Sequence, residues 1–216
     1  MWTLLKREIE DQAILFVLVI IAGIALAGWM AGAFPSMRFV TLVPPTRVPY
    51  DLYAMFCLVL FVLSIGAGVL AGLQMAGDQG RGVSRFLCTL TATRSQILVC
   101  KWIVGLVWVI LGILPVVAVC TILTERWVQL VPIDTSPIVH MVSGSALSIC
   151  ASYAFGMQVS MARRPAWVVL GTIPFAAGLI GLVAIKGFGL HTHLLVALVG
   201  LACLVRTWLQ FHTVAL

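Results

Sequence analysis

The chain has 216 residues, of which 62% are hydrophobic and only 9% charged, and its net charge is +6. A soluble domain carries about 25% charged residues, so there is too little polar surface here to cover a water-soluble globule. The composition calls for a bilayer as solvent and excludes an ordinary soluble enzyme or a nucleic-acid-binding domain.

Residues 2–12 open the chain. Trp2, Leu5, Ile9, Ala13 and Phe16 share one helical face, while Lys6, Arg7, Glu10 and Asp11 lie off its centre. This pattern predicts an interfacial helix lying along the membrane with Trp2 at headgroup depth. A span needs roughly 20 apolar residues, and six runs fit: about 13–33, 52–76, 98–123, 138–161, 166–186 and 193–211. The first is too long for the apolar core of a signal peptide, and charges of both signs precede it, so it is read as a retained span. The six spans fill residues 1–216 as a single transmembrane domain with no room for a second.

Between the first two spans, Pro35, Pro44, Pro45 and Pro49 mark an extended outer loop. Gly28 with Gly32, and Gly68 with Gly72, make GxxxG pairs, which let helix backbones approach closely in lipid. Packing inside the bundle is the reading preferred over a dimer seam. Pro115 and Pro174 fall inside the third and fifth spans, where each removes a backbone donor. The cysteines at 57, 88, 100, 120, 150 and 203 form no CxxC pair, which suggests neither a disulfide framework nor a zinc site.

With the N-terminus inside, Lys6, Arg7, Arg81, Arg85, Arg94, Lys101, Arg163, Arg164 and Arg206 face the cytoplasm, and Arg38, Arg47, Arg126 and Lys186 face out. That asymmetry satisfies the positive-inside rule. The expectation is a multi-pass protein of the cell inner membrane with both termini cytoplasmic.

The longest polar, basic stretch is 78–101, DQGRGVSRFLCTLTATRSQILVCK. Val83, Phe86, Leu87 and Leu90 recur at i, i+3, i+4 and i+7, which predicts a short amphipathic helix. Such a helix either lies on the membrane or docks into a protein groove; the plainer reading is a basic loop that fixes orientation. Thr93 and Gln96 have capping-box spacing, so the next helix should begin there.

This stretch resembles the loop of the type-2 ABC transporter permeases. In that family an acidic residue and a glycine lead into T-L-E-x-L-L-x-x-P-x-S-R, followed by an aliphatic run ending in lysine. Asp78, Gly82, Phe86, Leu87, Leu90, Arg94, Ile97, Leu98 and Lys101 match it without a gap, and LLKREI at 4–9 resembles the family's amphipathic start. Arg85 stands where the family usually has an acid, and Thr91 where it usually has proline. Arg163-Arg164-Pro165 with Pro174 loosely echoes the haem-exporter B subunit of the same broad group, and assigns no substrate.

The resemblance implies an all-α integral membrane protein: six transmembrane helices, an N-terminal interfacial helix, and a short cytoplasmic coupling helix between spans two and three. It implies that Asp78, Gly82, Val83, Arg85, Phe86, Leu87, Leu90 and Arg94 couple the chain to an ABC ATPase subunit, and that a second permease chain completes the transporter. The sequence has no GxxxxGK[ST] loop. ATP and magnesium are therefore expected on the partner ATPase, with no cofactor and no enzymatic activity in this chain. The spans offer no ionisable ladder for a coupling ion, which favours an outside energy source and an apolar, amphipathic or lipid-like cargo.

Two other readings stand beside an exporter-like permease. One is an anchor or redox subunit holding haem or quinone. His140, His191 and His193 fall on the outer side with Glu125 and Asp134, a possible metal or haem-edge cluster; polar helix ends are the commoner use of such histidines. The other is a non-transporting membrane scaffold.

Overall fold

The structure, a computed structural model, describes residues 50–80, 93–128, 136–160 and 165–213, together with positions 6, 9–10, 14, 17–18, 21–22, 24–26 and 28–29. The fold is all-α. The described positions up to Trp29 are helical, with Lys6 and Glu10 an exposed i,i+4 pair at 3.9 Å. Whether an interfacial helix at 2–12 is separate from the stretch that follows lies outside the described residues. Five long helices come next: α1 (Tyr50–Gly80), α2 (Arg94–Val128), α3 (Ser136–Ser160), α4 (Pro165–Lys186) and α5 (Leu190–Thr213).

The starts of α2 and α4 and the turn from α4 into α5 have local causes. Ahead of α2, the Thr93 amide donates to Gln96 Oε1 at 3.1 Å and the Gln96 amide donates to Thr93 Oγ1 at 3.3 Å. This is the reciprocal capping box that the spacing predicts, and it satisfies two of the orphan donors of a helix start. Proline opens α4, where its missing N–H costs nothing. Gly187, at φ 71°, ends α4 in the left-handed conformation that glycine adopts without penalty. Its amide donates back to the Val183 carbonyl at 2.7 Å, and Thr192 Oγ1 donates to the Gly187 carbonyl at 2.8 Å, closing the turn into α5. Pro115 and Pro174 lie within α2 and α4, as expected.

The side-chain contacts fix the helix directions. Gly68 and Gly72 of α1 face Thr172 and Val168 of α4, so these two helices are antiparallel. Gly171 of α4 faces Phe155 and Val159 of α3, and Phe188 just after α4 meets Gly144 near the start of α3, so α3 and α4 are antiparallel too. Ser143 meets His193 and Ala151 meets Gly200, which makes α3 and α5 parallel. Ser95 meets His212, setting α2 against α5. Helices α1, α3 and α5 thus run one way and α2 and α4 the other. The C-terminal ends of α1 and α3 therefore lie at one end of the bundle, with the start of α4.

Helix α3 is the hub, with its most extensive contact against α1 and the next against α5. Its small residues allow this. A Cβ on Gly156 would stand 2.1 Å from the Gly68 carbonyl oxygen, while one on Gly68 or Gly72 would stand 2.6 or 2.1 Å from side-chain atoms of Thr172 or Val168. The glycine pair of α1 therefore seats neighbouring helices within the bundle, as the GxxxG reading expects. Leu60, Ala67, Ala71, Met75, Leu98, Val109, Ile149, Tyr153, Met157 and Val183 form the main core. Phe155 and Phe175 stack at 4.2 Å and add to the α3–α4 contact.

Apolar side chains also dominate the outside. On α5 the buried positions are Thr192, Val196, Cys203 and Thr207, one narrow stripe, while Leu194, Leu198, Leu201 and Val205 are exposed. Among the described residues, Ser95–Gly112 and Leu190–Thr213 are long and apolar enough to cross a membrane; Leu60–Met75 and Leu170–Lys186 are apolar but shorter.

Candidate functional site

Of the residues expected to couple to an ATPase, Gly82, Val83, Arg85, Phe86, Leu87 and Leu90 lie outside the described residues. Asp78 falls in the last turn or so of α1 and Arg94 begins α2, in both cases as backbone only. What the structure does show is how the two helices flanking this segment are held.

They are held by a buried polar node. Tyr153 of α3 donates its hydroxyl proton to Gln74 Oε1 at 2.6 Å. Gln74 Nε2 donates to the Lys101 carbonyl at 3.3 Å, and Tyr153 Oη lies at the same distance from that carbonyl. Tyr153 is 0% exposed, Lys101 3% and Gln74 6%. Three helices therefore meet through one carbonyl, one amide and one phenol. The α2 carbonyl accepts from Gln74 Nε2, and Gln74 Oε1 accepts the one proton of the phenol, so the Gln74 amide joins all three helices and a shift of any one disturbs the bonds to the others. Hydrogen bonds gain strength from their low-dielectric surroundings, and leaving one of these groups unpaired there is costly.

Gly105 makes room for the node. A Cβ at that position would fall 1.7 Å from Tyr153 Oη, so any larger residue would evict the phenol. Sequence reasoning found none of this. It counted Lys101 among the charges on the cytoplasmic side, and the structure shows the residue buried in the bundle. The available signal was Gln74, an amide four residues before the polar stretch begins, together with Tyr153 in a helix rich in serine, alanine and glycine.

The serines of α3 complete its polar inventory. Ser145, Ser148 and Ser152 donate to the carbonyls of Met141, Gly144 and Ser148, and Ser160 donates to that of Met157, at 2.7–2.9 Å. These hydroxyls are satisfied within their own helix.

At the opposite end, His193 Nδ1 lies 2.7 Å from the Gly189 carbonyl, which can only accept, so Nδ1 carries a proton. Its Nε2 sits 2.9 Å from Ser143 Oγ. The His140 ring is edge-on to that of His193, with centroids 5.8 Å apart, and His191 is exposed. The structure therefore brings His140 and His193 together. Among the described residues no group of three or more His, Cys, Asp or Glu is arranged to hold a metal ion. Both nitrogens of His193 are engaged in joining α3 to the turn before α5, the use expected of a polar helix end. His212 repeats the arrangement at the other end of α5, with Nδ1 2.9 Å from the Trp208 carbonyl and Nε2 3.0 Å from Ser95 Oγ.

Comparison with family models, with curated proteins and with solved structures finds no match to this chain.

Proposed function

We propose that this chain is the membrane-spanning permease subunit of an ABC transporter, exporter-like, driven by a separate ATPase that seats on residues 82–90. The observation that carries the reading is the Gln74–Tyr153–Lys101 node. It ties the two helices that flank the loop to the hub helix α3, close to the loop itself. A force applied to 81–92 then reaches three helices at once, whereas a loop that served only to orient the chain would need no such junction.

Two further features support a bilayer setting with six spans. The inside-out pattern of α5, with polar threonines within and leucines without, suits a hydrocarbon solvent, since soluble proteins rarely expose apolar patches of this extent. The alternating helix directions suit one crossing per helix, with the helix ends that precede the basic sequences 81–92 and 161–164 at one end of the bundle. In this reading both termini are cytoplasmic, and a second permease chain completes the path along which cargo moves.

The test is Phe86→Asp or Leu87→Asp in a reconstituted complex with the ATPase that co-purifies with the unaltered protein. The expected outcome is normal membrane insertion with loss of the co-purified ATPase and of its stimulated hydrolysis. Full retention of both in either variant overturns the proposal.

A further inference from the structure

Ser143 carries a single hydroxyl proton and stands among more acceptors than that proton can serve. Its Oγ lies 2.8 Å from the Val139 carbonyl, 3.2 Å from the His140 carbonyl and 2.9 Å from His193 Nε2. A carbonyl oxygen only accepts, so the contacts within α3 are bonds only when Ser143 donates to them. The His193 ring is fixed at its other nitrogen, where Nδ1 donates to the Gly189 carbonyl at 2.7 Å.

Two proton states follow from this geometry. In the neutral ring Nε2 has no hydrogen and can only accept. The Ser143 proton then goes to Nε2, which leaves Oγ and the Val139 oxygen as facing acceptors, or to its own helix, which leaves the α3–α5 contact without a hydrogen. In the doubly protonated ring Nε2 donates to Ser143 Oγ while Ser143 donates to the Val139 carbonyl. Both short contacts are then hydrogen bonds, and the one that joins the helices is charge-assisted, roughly twice as strong as a neutral one.

We propose that Ser143 and His193 form a proton-operated latch between α3 and the start of α5, closed when acid charges the imidazole. Histidine changes charge between about pH 5 and 8, and protons have access, since Ser143 is exposed and His193 half-buried. The titratable groups around it are His140 on α3, its ring edge-on at 5.8 Å, His191 on α5, and Lys186 in the last turn of α4. Phe188, against Gly144, is uncharged. Asp51 at the start of α1, Glu125 and Arg126 near the end of α2, and Asp134 ahead of α3 have side chains outside the described residues. The latch holds the hub helix at the end away from the Gln74–Tyr153–Lys101 node, and it is independent of the ATPase reading.

The experiment follows the full chain, carrying isotope-labelled histidine, by nuclear magnetic resonance in micelles. The His193 signals are those lost in His193→Gln. The label reports both the protonation of the ring nitrogens and the exchange of the His193 amide, which donates to the Gly189 carbonyl at 3.1 Å. Exchange is compared at about pH 5 and about pH 8, after correction for the intrinsic chemical rate. The expected result is a doubly protonated His193 ring at the acid end, with amide protection about five-fold higher there than at the alkaline end. Ser143→Ala should abolish the rise in protection, and His140→Phe should keep it. A ring that stays neutral throughout, protection that does not rise as the ring becomes charged, or a rise that survives in Ser143→Ala overturns the proposal. So does a rise lost in His140→Phe, which would place the response on the neighbouring ring.

Discussion

A single methyl group tests the α1–α3 crossing. In Gly156→Ala the new Cβ would lie 2.1 Å from the Gly68 carbonyl oxygen and 2.7 Å from the Gly68 Cα and carbonyl carbon. All three are backbone atoms, so no side chain can swing aside. Ordinary contact begins near 3.4 Å, and the helices would have to part by the difference from 2.1 Å, about 1.3 Å. A gap of 0.5–1 Å already forfeits roughly a quarter to a half of each dispersion contact across it, and this interface carries Leu60, Ala71, Ile149 and Met157. Overpacking of this kind costs about 1–3 kcal/mol. The helix preference of alanine over glycine returns about 1 kcal/mol. With a rigid obstacle the cost lies at the upper end, and the net loss is about 2 kcal/mol. Gly66→Ala, on the same crossing helix, meets open space and should gain about 0.8 kcal/mol from helix preference alone. The two substitutions are chemically identical and are expected to move stability in opposite directions. Unfolding in mixed micelles, titrated with a denaturing detergent and followed by circular dichroism, gives both values. Equal midpoints for the two variants would show that α1 and α3 do not cross at Gly68 and Gly156.

Two smaller perturbations probe the polar elements. Tyr153→Phe keeps the ring that fills the space beside Gly105 and removes the donor to Gln74, so it should cost about 1 kcal/mol, between the roughly 0.6 typical of intramembrane pairs and the 1–3 of a buried orphan. A double-mutant cycle with Gln74→Leu should return most of that as interaction energy, and additive effects would remove the node from the account. Thr93→Ala deletes one arm of the capping box, worth about 1 kcal/mol, which converts to about five-fold faster amide exchange at Gln96 in the first turn of α2. Unchanged exchange there would show that the cap does not hold that turn.

Legibility varied along the chain with the kind of signal involved. Helix starts and stops were readable where local chemistry decides them. Thr93 with Gln96, Pro165, and the turn after Lys186 all act over three or four residues, which a sequence displays directly. The GxxxG of α1 was readable as close packing, but its partners Thr172, Val168 and Gly156 were not, because spacing names one face and not what covers it. The node was invisible for the same reason: Gln74 and Tyr153 are 79 residues apart. The burial of Lys101 was not legible because a lysine at the start of an apolar run usually reaches for the interface, and spacing does not name the neighbouring helices that cover it. The hub role of α3 was obscured by its serines, which lower its apolar signal while their hydroxyls stay within the helix.

Those inward-looking hydroxyls have a mechanical consequence. A rod whose polar groups answer only to its own backbone can turn or slide against its neighbours without stranding a donor in oil. Along α3 the polar ties that resist such a movement include the phenol at 153 near one end and Ser143 at the other. With the first released, the close approach of Gly156 to the Gly68 backbone is left as the steric stop between α3 and α1.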